Sequence, residues 1–232
     1  MATSGTTITT RSRIEDVLAH LPIAGTTEYS QGQVIYDPHH ASKSLYLVIS
    51  GKVLISRIAE EGREVVLEIV RPEELFGESA FLDIPHRAEQ ATALENVTVM
   101  TWAISDMEDM MTKRPRLALA LLQVVAQRNA EFSRRIESLS LDTIERRLAR
   151  SLIRFSERLG TAEEDGSVKL MPLTHELLSR YVGTSREIIT QYMNRFRKQG
   201  YVSYSRNGIV LNGDILKTML DKLGASAPEP SN

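Results

Sequence analysis

The sequence predicts an α+β fold in three parts: an N-terminal β-sandwich or barrel, a long helix and a C-terminal winged helix-turn-helix domain. Three patterns support this prediction. Short strand-like runs separated by turn residues fill residues 29–105. An apolar heptad pattern follows from about residue 115. Two short helical segments joined by a glycine turn lie within residues 173–197.

Composition limits the class of protein. The 232 residues are 42% hydrophobic and 25% charged, which is ordinary for a globular chain of one or two domains. No cysteine is present, which excludes disulfides, cysteine-ligated zinc and cysteine-held iron–sulfur clusters. No apolar run is long enough to span a bilayer, and the N-terminal MATSGTTITTRSR lacks the apolar core of a secretory signal. We therefore expect no membrane partner and a cytoplasmic location.

Charge is distributed unevenly along the chain. Residues 1–141 contain 14 Lys or Arg and 19 Asp or Glu, whereas residues 142–222 contain 14 and 10. An acidic front and a basic back indicate two modules, the second of which could face a polyanion. Ordinary scatter of charged residues is the alternative interpretation.

The patterns divide the chain into five parts. Residues 1–10 are rich in Thr and Ser, and residues 223–232 are polar with proline, so we predict a flexible arm and a flexible tail. Residues 11–114 form the predicted β-domain, 115–141 the predicted dimerisation helix and hinge, and 142–222 the predicted winged helix-turn-helix domain.

Strand-like runs in the first module are punctuated by Gly, Pro and Asp residues, as in a β-sandwich or barrel. They are Val34–Tyr36, Leu45–Ser50, Val53–Ile58, Val65–Val70 and Val97–Ile104.

The long helix carries a seam of residues at alternating spacings of three and four. They are Leu122, Val125, Asn129, Phe132, Ile136 and Leu139. Such a heptad seam favours a two-helix coiled coil, in which one Asn can fix the register. A second apolar stripe, formed by Leu117, Leu121 and Val124, would pack on the N-terminal β-domain. The alternative is a helix that covers only its own domain, but two stripes favour two covered surfaces and hence a dimer.

Capping residues define the helices of the second module. A helix over Thr143–Leu159 ends before Gly160, which we predict to be a left-handed cap. Thr174 then caps a short helix that runs to about Tyr181, Gly183 forms the turn, and Ser185 caps the next helix. These two helices with a tight turn form a helix-turn-helix motif.

The start of the second helix of this motif is expected to present polar side chains to DNA. Arg donates to guanine, Glu accepts from cytosine and Gln pairs with adenine. Basic residues further along suit phosphates, and Asn207-Gly208 predicts a hairpin wing with Arg206 at its tip. The predicted DNA-binding residues are Thr174, Ser185, Arg186, Glu187, Thr190, Gln191, Arg195, Lys198 and Arg206. A three-helix bundle with a hairpin and no role at DNA is the alternative.

At these motifs the chain resembles the CRP/FNR superfamily of bacterial transcription regulators. The resemblance covers about residues 20–222 and rests on YSQGQVIY (29–36), SLYLVISGKV (44–53), LFGESAFL (75–82), HRA (86–88) and GTSREIITQY (183–192). It implies that residues 11–114 form a β-roll effector or sensor domain of the jelly-roll type, like that of cyclic-nucleotide-binding proteins. A dimerisation helix and a two-fold symmetric operator are implied as well. It also implies double-stranded DNA, a second copy of the chain and RNA polymerase as partners. Gln191 departs from the family, in which Arg is usual at this position.

The resemblance further implies an effector site. Gly77, Glu78, Ser79, Ala80, Arg87 and Ala88 resemble a cyclic-nucleotide phosphate-binding cassette. Arg87 would neutralise the phosphate and Glu78 would accept from the ribose hydroxyl. Glu89 would place a second carboxylate near the phosphate, and Glu131 and Phe132 would face an adenine. A cyclic nucleotide such as cAMP, another small effector, and no ligand therefore remain open; no cofactor is required.

Other classes of protein receive less support from the sequence. Haem would need axial ligands, for which His39, His40 and His86 are candidates that are more simply explained as surface residues. A cupin-type metal oxygenase would need clustered His and carboxylates, and no such metal-ligand motif or catalytic motif occurs. We therefore predict no metal and no enzyme activity. A cyclic-nucleotide-binding protein without DNA function is a third hypothesis, which the polar face at 185–191 disfavours.

Overall fold

The structure is a computed structural model that describes residues 17–39, 43–82, 86–205 and 208–225. It confirms the predicted α+β fold, with an N-terminal β-domain, a long helix and a C-terminal helix-turn-helix domain. The predicted arm, residues 1–10, lies outside the described residues.

The N-terminal domain is a β-roll of two antiparallel four-stranded sheets. Its strands are β1 (Thr26–Tyr29), β2 (Val34–Tyr36), β3 (Ser44–Ser50), β4 (Val53–Ile58), β5 (Glu64–Val70), β6 (Leu75–Phe76), β7 (Gln90–Ala93) and β8 (Val97–Ala103). One sheet has the order β1-β8-β3-β6 and the other the order β2-β7-β4-β5. Alternating apolar residues such as Val48, Val53 and Val99 fill the space between them. The sequence prediction missed β1, β6 and β7.

Two helices follow the β-roll: α1 (Ile104–Lys113) and α2 (Pro115–Leu141). Pro115 lies at the first turn of α2, where its missing N–H has no helical partner to lose. Leu117 and Leu121 are buried in one cluster with Trp102 and Met107, and Val124 packs against that cluster. The second apolar stripe therefore covers the β-roll, as predicted from the sequence.

The C-terminal domain is a winged helix-turn-helix. Its elements are α3 (Ile144–Leu159), β9 (Thr161–Ala162), β10 (Val168–Leu170), α4 (His175–Val182), α5 (Arg186–Lys198), β11 (Val202–Ser205), β12 (Gly208–Leu211) and α6 (Gly213–Ala225). The strands form one sheet in the order β11-β12-β10-β9. Leu148, Leu178, Met193 and Phe196 are fully buried in its core. These side chains fix α5 against α3 and α4.

Two local predictions at the ends of helices are wrong. Gly160 does not take a left-handed cap, because its φ is −85° and its ψ is 154°. A Cβ there would lie 2.3 Å from Val168 Cγ1 and 2.4 Å from the Ser156 carbonyl oxygen, so the glycine permits close packing instead. Helix α6 continues through Ala225, three residues into the predicted tail 223–232.

The predicted hinge between α2 and α3 is held by one carboxylate. Asp142 lies 3.0 Å from Arg146 Nε and 2.9 Å from Arg150 Nε, and it accepts from the Ser138 hydroxyl at 2.6 Å. A cleft of about 700 Å³ opens beside this hinge, between the end of α2 and α3. The hinge thus joins the two helices through specific ion pairs.

Strand β5 carries the contact between the two domains. Val66 and Ile69 of this strand belong to the same buried cluster as the core of the C-terminal domain. Arg135 of α2 donates to the carbonyls of Leu67 at 2.5 Å and Tyr181 at 3.1 Å, and its guanidinium lies 4.2 Å from the Tyr181 ring centroid. Helix α2, strand β5 and helix α4 therefore meet at Arg135.

Within the described residues, no helix combines the length and apolar character that crossing a membrane requires.

Candidate nucleic-acid interface and effector cassette

Backbone chemistry at the turn of the helix-turn-helix sets the direction of α5. The Thr174 hydroxyl accepts from the Leu177 N–H at 3.0 Å and so caps α4. Gly183 closes α4 with a φ of 77°, a left-handed conformation that glycine adopts without a steric cost. Thr174 is therefore a capping residue of α4, and its assignment to the DNA interface stays a prediction.

Ser185 caps α5 and also holds the next acidic side chain. Its hydroxyl oxygen accepts from the Ile188 N–H at 3.3 Å. Hydrogen bonds from its own backbone N–H and then from the Ser185 hydroxyl lower the pKa of Glu187. The carboxylate is thus ionised and oriented at the exposed N-terminus of α5.

Most of the predicted DNA-binding residues are brought together on one exposed surface. The exposed members are Ser185, Arg186, Glu187, Gln191, Arg195 and Lys198. Arg195 lies 3.3 Å from a Glu145 carboxylate oxygen on α3, so that salt bridge competes with any phosphate contact. The wing strands β11 and β12 pair as predicted, but Arg206 at the tip lies outside the described residues.

Thr190 is half-buried and its hydroxyl is already engaged. It donates to the Arg186 carbonyl at 2.8 Å. On the other side, its oxygen lies 2.9 Å from Nδ1 of His175, and Nε2 of His175 lies 3.0 Å from the Tyr204 hydroxyl. Sequence reasoning missed His175, because its partners are 15 and 29 residues away.

The predicted dimer seam is open to solvent along one chain. Leu122 is 63% exposed, Ile136 65% and Leu139 51%, and Val125 and Phe132 are also exposed. Asn129, the polar member of the seam, is exposed beside them. Large apolar side chains exposed in a continuous stripe are typical of an interaction surface.

Three of the cassette residues, Gly77, Ser79 and Arg87, lie in direct contact. Arg87 is only 3% exposed, its Nη2 donates to the Ser44 carbonyl at 2.5 Å, and its Cζ lies 4.2 Å from the Tyr36 ring centroid. Burial raises the pKa of Tyr36, and Arg87 opposes this effect. A Cβ on Gly77, whose φ is +85°, would lie 2.6 Å from Arg87 Nη1. The guanidinium therefore packs directly on the glycine turn.

Glu89 lies beside the cassette, next to Ser79. The Ser79 hydroxyl donates to the Glu89 carboxylate, and Arg87 Nη1 lies 3.5 Å from the same hydroxyl. Ala80 packs against the cluster below α2, and Ala88 is exposed. The second carboxylate expected near a bound phosphate is thus present, with Ser79 as its partner.

A buried network of ion pairs starts at the cassette. Glu78 lies 2.5 Å from Arg128 of α2, and Arg128 also lies 3.0 Å from Glu68. Glu68 lies 2.9 Å from Arg158 of α3, which lies 2.8 Å from Glu74. Burial lowers the pKa of Arg128, but Glu78 and Glu68 outweigh it and leave that pKa raised.

This network includes a contact of α2 that the sequence did not predict. Arg128 of α2 contacts the cassette through Glu78, whereas the expectation that Glu131 and Phe132 face an adenine stays a prediction. Glu131 forms an ion pair with Arg154 of α3, and Phe132 belongs to the exposed seam.

The candidate haem ligands do not form a site in the described part of the chain. His39 and His86 are both exposed, and His40 lies outside the described residues. Within residues 17–39, 43–82, 86–205 and 208–225, no group of three His, Asp or Glu side chains is arranged to hold a metal ion.

Comparison with known proteins supports this architecture. The model of the cyclic nucleotide-binding domain matches residues 26–114, and that of the Crp-like helix-turn-helix domain matches residues 146–219. The chain is 27% identical over 186 residues to the CRP-like cAMP-activated global transcriptional regulator of Mycobacterium tuberculosis, covering 80% of this chain and 83% of that one. It is 32% identical over 181 residues to the transcriptional regulator SdrP of Thermus thermophilus, covering 76% and 84%.

A solved structure agrees over nearly its whole length. A transcriptional regulator of the CRP/FNR family from Thermus thermophilus superposes with a TM-score of 0.68 and 30% identity, covering 85% of this chain and 98% of that chain. The chain belongs to the CRP/FNR family of transcription regulators. The resemblance seen in the sequence is therefore confirmed. As a CRP/FNR protein, it carries a DNA-binding helix-turn-helix domain behind a domain of the cyclic-nucleotide-binding type. Both of these relatives are transcription regulators.

Proposed function

We propose that this protein is a sequence-specific DNA-binding transcription regulator that acts as a homodimer on a two-fold symmetric operator. The observation that carries the proposal is the exposed N-terminal surface of α5. There Arg186, Glu187 and Gln191 stand free of the core while Ser185 orients Glu187. An oriented cation, carboxylate and amide at a helix N-terminus match the hydrogen-bonding edges of guanine, cytosine and adenine in the major groove.

The dimer follows from the bare seam on α2. A monomer would leave Leu122, Ile136 and Leu139 in water, whereas two parallel copies of α2 would cover these side chains. A two-fold axis along the seam places two copies of α5 on the same side of the dimer. Major grooves on one side of DNA recur about every 34 Å, so each copy of α5 reads one half-site. RNA polymerase is the further partner proposed for such a bound dimer.

The test is a DNA titration that separates base reading from charge. A duplex selected from random sequences by the wild-type protein and a scrambled duplex are titrated at several salt concentrations. Glu187→Ala is expected to weaken binding to the selected duplex by about 1–3 kcal/mol and to leave the scrambled duplex nearly unchanged. Glu163→Ala, which changes an exposed glutamate in the loop between β9 and β10, is the matched control. Equal weakening on both duplexes would refute base reading by Glu187.

For the sensor domain we propose the cassette as the place where a small effector such as cAMP would act. Gly77, Ser79 and Arg87 offer a close backbone turn, a hydroxyl and a cation within one site. Glu78 connects this site to α2 through Arg128, so an effector that competes for Glu78 would change a contact of the dimerisation helix.

A regulator that needs no cyclic nucleotide is the second candidate, and the closed cassette favours it. A cyclic phosphate approaching Ser79 would meet the Glu89 carboxylate, and the Arg87 guanidinium is occupied by Ser44 and Tyr36. The Glu89 carboxylate and a phosphate are both negatively charged and would repel each other, which weakens anion binding at the cassette.

The two candidates are separated by repeating the DNA titration with and without cAMP. A gain in affinity for the wild-type protein would establish the cyclic nucleotide as an effector. Unchanged, tight binding by the wild-type protein, together with cAMP binding by Glu89→Gln, would establish the closed cassette as the reason. Glu95→Gln is the control, because Glu95 pairs with Lys52 at 2.8 Å on the protein surface.

A further inference from the structure

His175 connects three elements of the DNA-binding domain. It is the first residue of α4, and its ring lies between Thr190 of α5 and Tyr204 of wing strand β11. The two ring nitrogens are 2.9 Å and 3.0 Å from the two hydroxyl oxygens, so both are within hydrogen-bonding distance. One side chain therefore contacts both the second helix of the motif and the wing.

The directions of these hydrogen bonds can be deduced by starting from Thr190, where the series of bonds ends. The Thr190 hydroxyl has one proton, which it donates to the Arg186 carbonyl at 2.8 Å. Its oxygen must therefore accept from His175, so Nδ1 carries the proton. In the neutral ring Nε2 is then an acceptor, and the Tyr204 hydroxyl donates to it. The relay runs from Tyr204 through His175 and Thr190 to the backbone of Arg186.

The surroundings of the ring favour this neutral state. Burial and then the positive charge of Arg186 lower the pKa of His175. Among the residues that the structure describes, Arg186 on α5 and Tyr204 on the wing are the charged and titratable groups that act on the ring, and Arg197 lies near Tyr204. A protonated ring would place a second cation beside Arg186 and would reverse the bond to Tyr204.

We propose that His175 is a positioning residue for DNA reading, which acts by joining the wing to the first turn of α5. This proposal rests on the proposed function, since it assumes that α5 reads bases. The relay ends on the carbonyl of Arg186, the residue proposed to donate to guanine, and it uses the Thr190 hydroxyl that the sequence assigned to base contact. Thr190 therefore serves α5 internally. Because His175 is bonded to Tyr204 of the wing and to Thr190 of α5, the wing and α5 keep a fixed orientation relative to each other. They can therefore enter neighbouring grooves of the DNA together.

Three substitutions remove the hydrogen bonds of His175 separately or together. His175→Asn keeps a donor in place of Nδ1 and loses the acceptor for Tyr204. Tyr204→Phe removes only the hydroxyl, and His175→Ala removes both bonds. Each loss is expected to weaken binding to the selected duplex about 3- to 10-fold, the effect of one or two hydrogen bonds, with less than about 2-fold change on the scrambled duplex.

Coupling between the two side chains is the decisive readout. If Tyr204 acts through His175, Tyr204→Phe has little further effect once His175→Ala is present, and the double variant equals His175→Ala alone. Additive losses would show that Tyr204 contacts DNA by itself and would overturn the relay. Ser203→Ala, an exposed position on the same strand, is the matched control for the wing.

The same experiment distinguishes this proposal from the proposed function. A wild-type protein that binds selected and scrambled duplexes equally would refute sequence-specific reading as a whole. A wild-type protein with clear preference, combined with unchanged preference in His175→Ala, would refute only the positioning role. A thermal melt of each variant verifies that the loss of preference occurs in a folded protein.

Discussion

Through His175, the stability of the helix-turn-helix domain is expected to depend on pH. Burial and Arg186 lower its pKa in the folded protein, whereas the ordinary value of an unfolded histidine is about 6.5. Below that value the unfolded chain binds more protons than the folded one. The stability contributed by the neutral ring is therefore fully present above about pH 6.5 and is lost as the pH falls through the lower, folded-state pKa.

We accordingly predict a pH-dependent gap between the wild-type protein and His175→Asn. The wild-type protein unfolds at a higher temperature at about pH 7.5, and the gap narrows toward about pH 5 because only the wild-type ring titrates. Thermal unfolding followed by circular dichroism across this range measures it. His86→Asn, at an exposed position of the β-roll, serves as the control. A gap of constant size would contradict the prediction.

Residues whose chemistry is local could be predicted from the sequence, and residues with distant partners could not. Thr174 and Ser185 each cap a helix whose first amides are three residues away, so their roles follow from neighbouring letters. His175 depends on Thr190 and Tyr204, and Arg128 depends on Glu68 and Glu78, 60 and 50 residues earlier in the chain. Nothing in the sequence near these residues indicates such partners.

At the scale of elements, helix α2 has two apolar surfaces that differ in exposure. Leu117 and Leu121 are buried against the β-roll, whereas the seam that includes Phe132 is exposed. A heptad pattern and a separate stripe beside it are visible in the sequence, which explains why α2 could be predicted. Strands β6 and β9 have two residues each and carry no period at all, and α1 is separated from α2 by Arg114 alone. These elements exist because of tertiary contacts.

The two surfaces of α2 lead to a prediction about assembly. Phe132→Asp places a carboxylate in the centre of the proposed seam and leaves the buried stripe untouched. Because a buried unpaired charge opposes association, we expect the dimer dissociation constant to rise by at least about 30-fold. Analytical ultracentrifugation over a concentration series measures this change.

Gln127→Asp is the matched control for the seam, since Gln127 is exposed on α2 outside the seam. It introduces the same charge into the same helix and is expected to leave the dimer intact. A Phe132→Asp protein that sediments as the wild type does would show that the seam is not the dimer contact.

At the scale of the whole molecule, strand β5 and its ion pairs connect the β-roll and the helix-turn-helix domain. Glu68 of β5 is 7% exposed and bonds to Arg128 of α2 on one side and Arg158 of α3 on the other. Arg71, after the strand, donates to the Arg158 carbonyl at 2.8 Å. The cassette, helix α2 and the first helix of the C-terminal domain are thus connected through one buried carboxylate. Family membership and fold class can be inferred without this connection, because they depend on patterns within each domain.

Glu68→Gln tests whether that carboxylate couples the two domains. The substitution keeps the shape of the side chain and leaves Arg128 and Arg158 without the charge they share, which is expected to cost about 3 kcal/mol of unfolding free energy. Because Glu68 of β5 pairs with Arg128 of α2 and with Arg158 of the C-terminal domain, its loss weakens the contact between the domains, and calorimetry is expected to resolve two unfolding transitions in place of one. Glu61→Gln is the control, because its pair with Arg63 spans 3.7 Å and is largely exposed, where ion pairs contribute little. If Glu68→Gln unfolds in one transition at the same temperature as Glu61→Gln, then apolar packing at Val66 and Ile69 holds the domains together and the ion pairs do not.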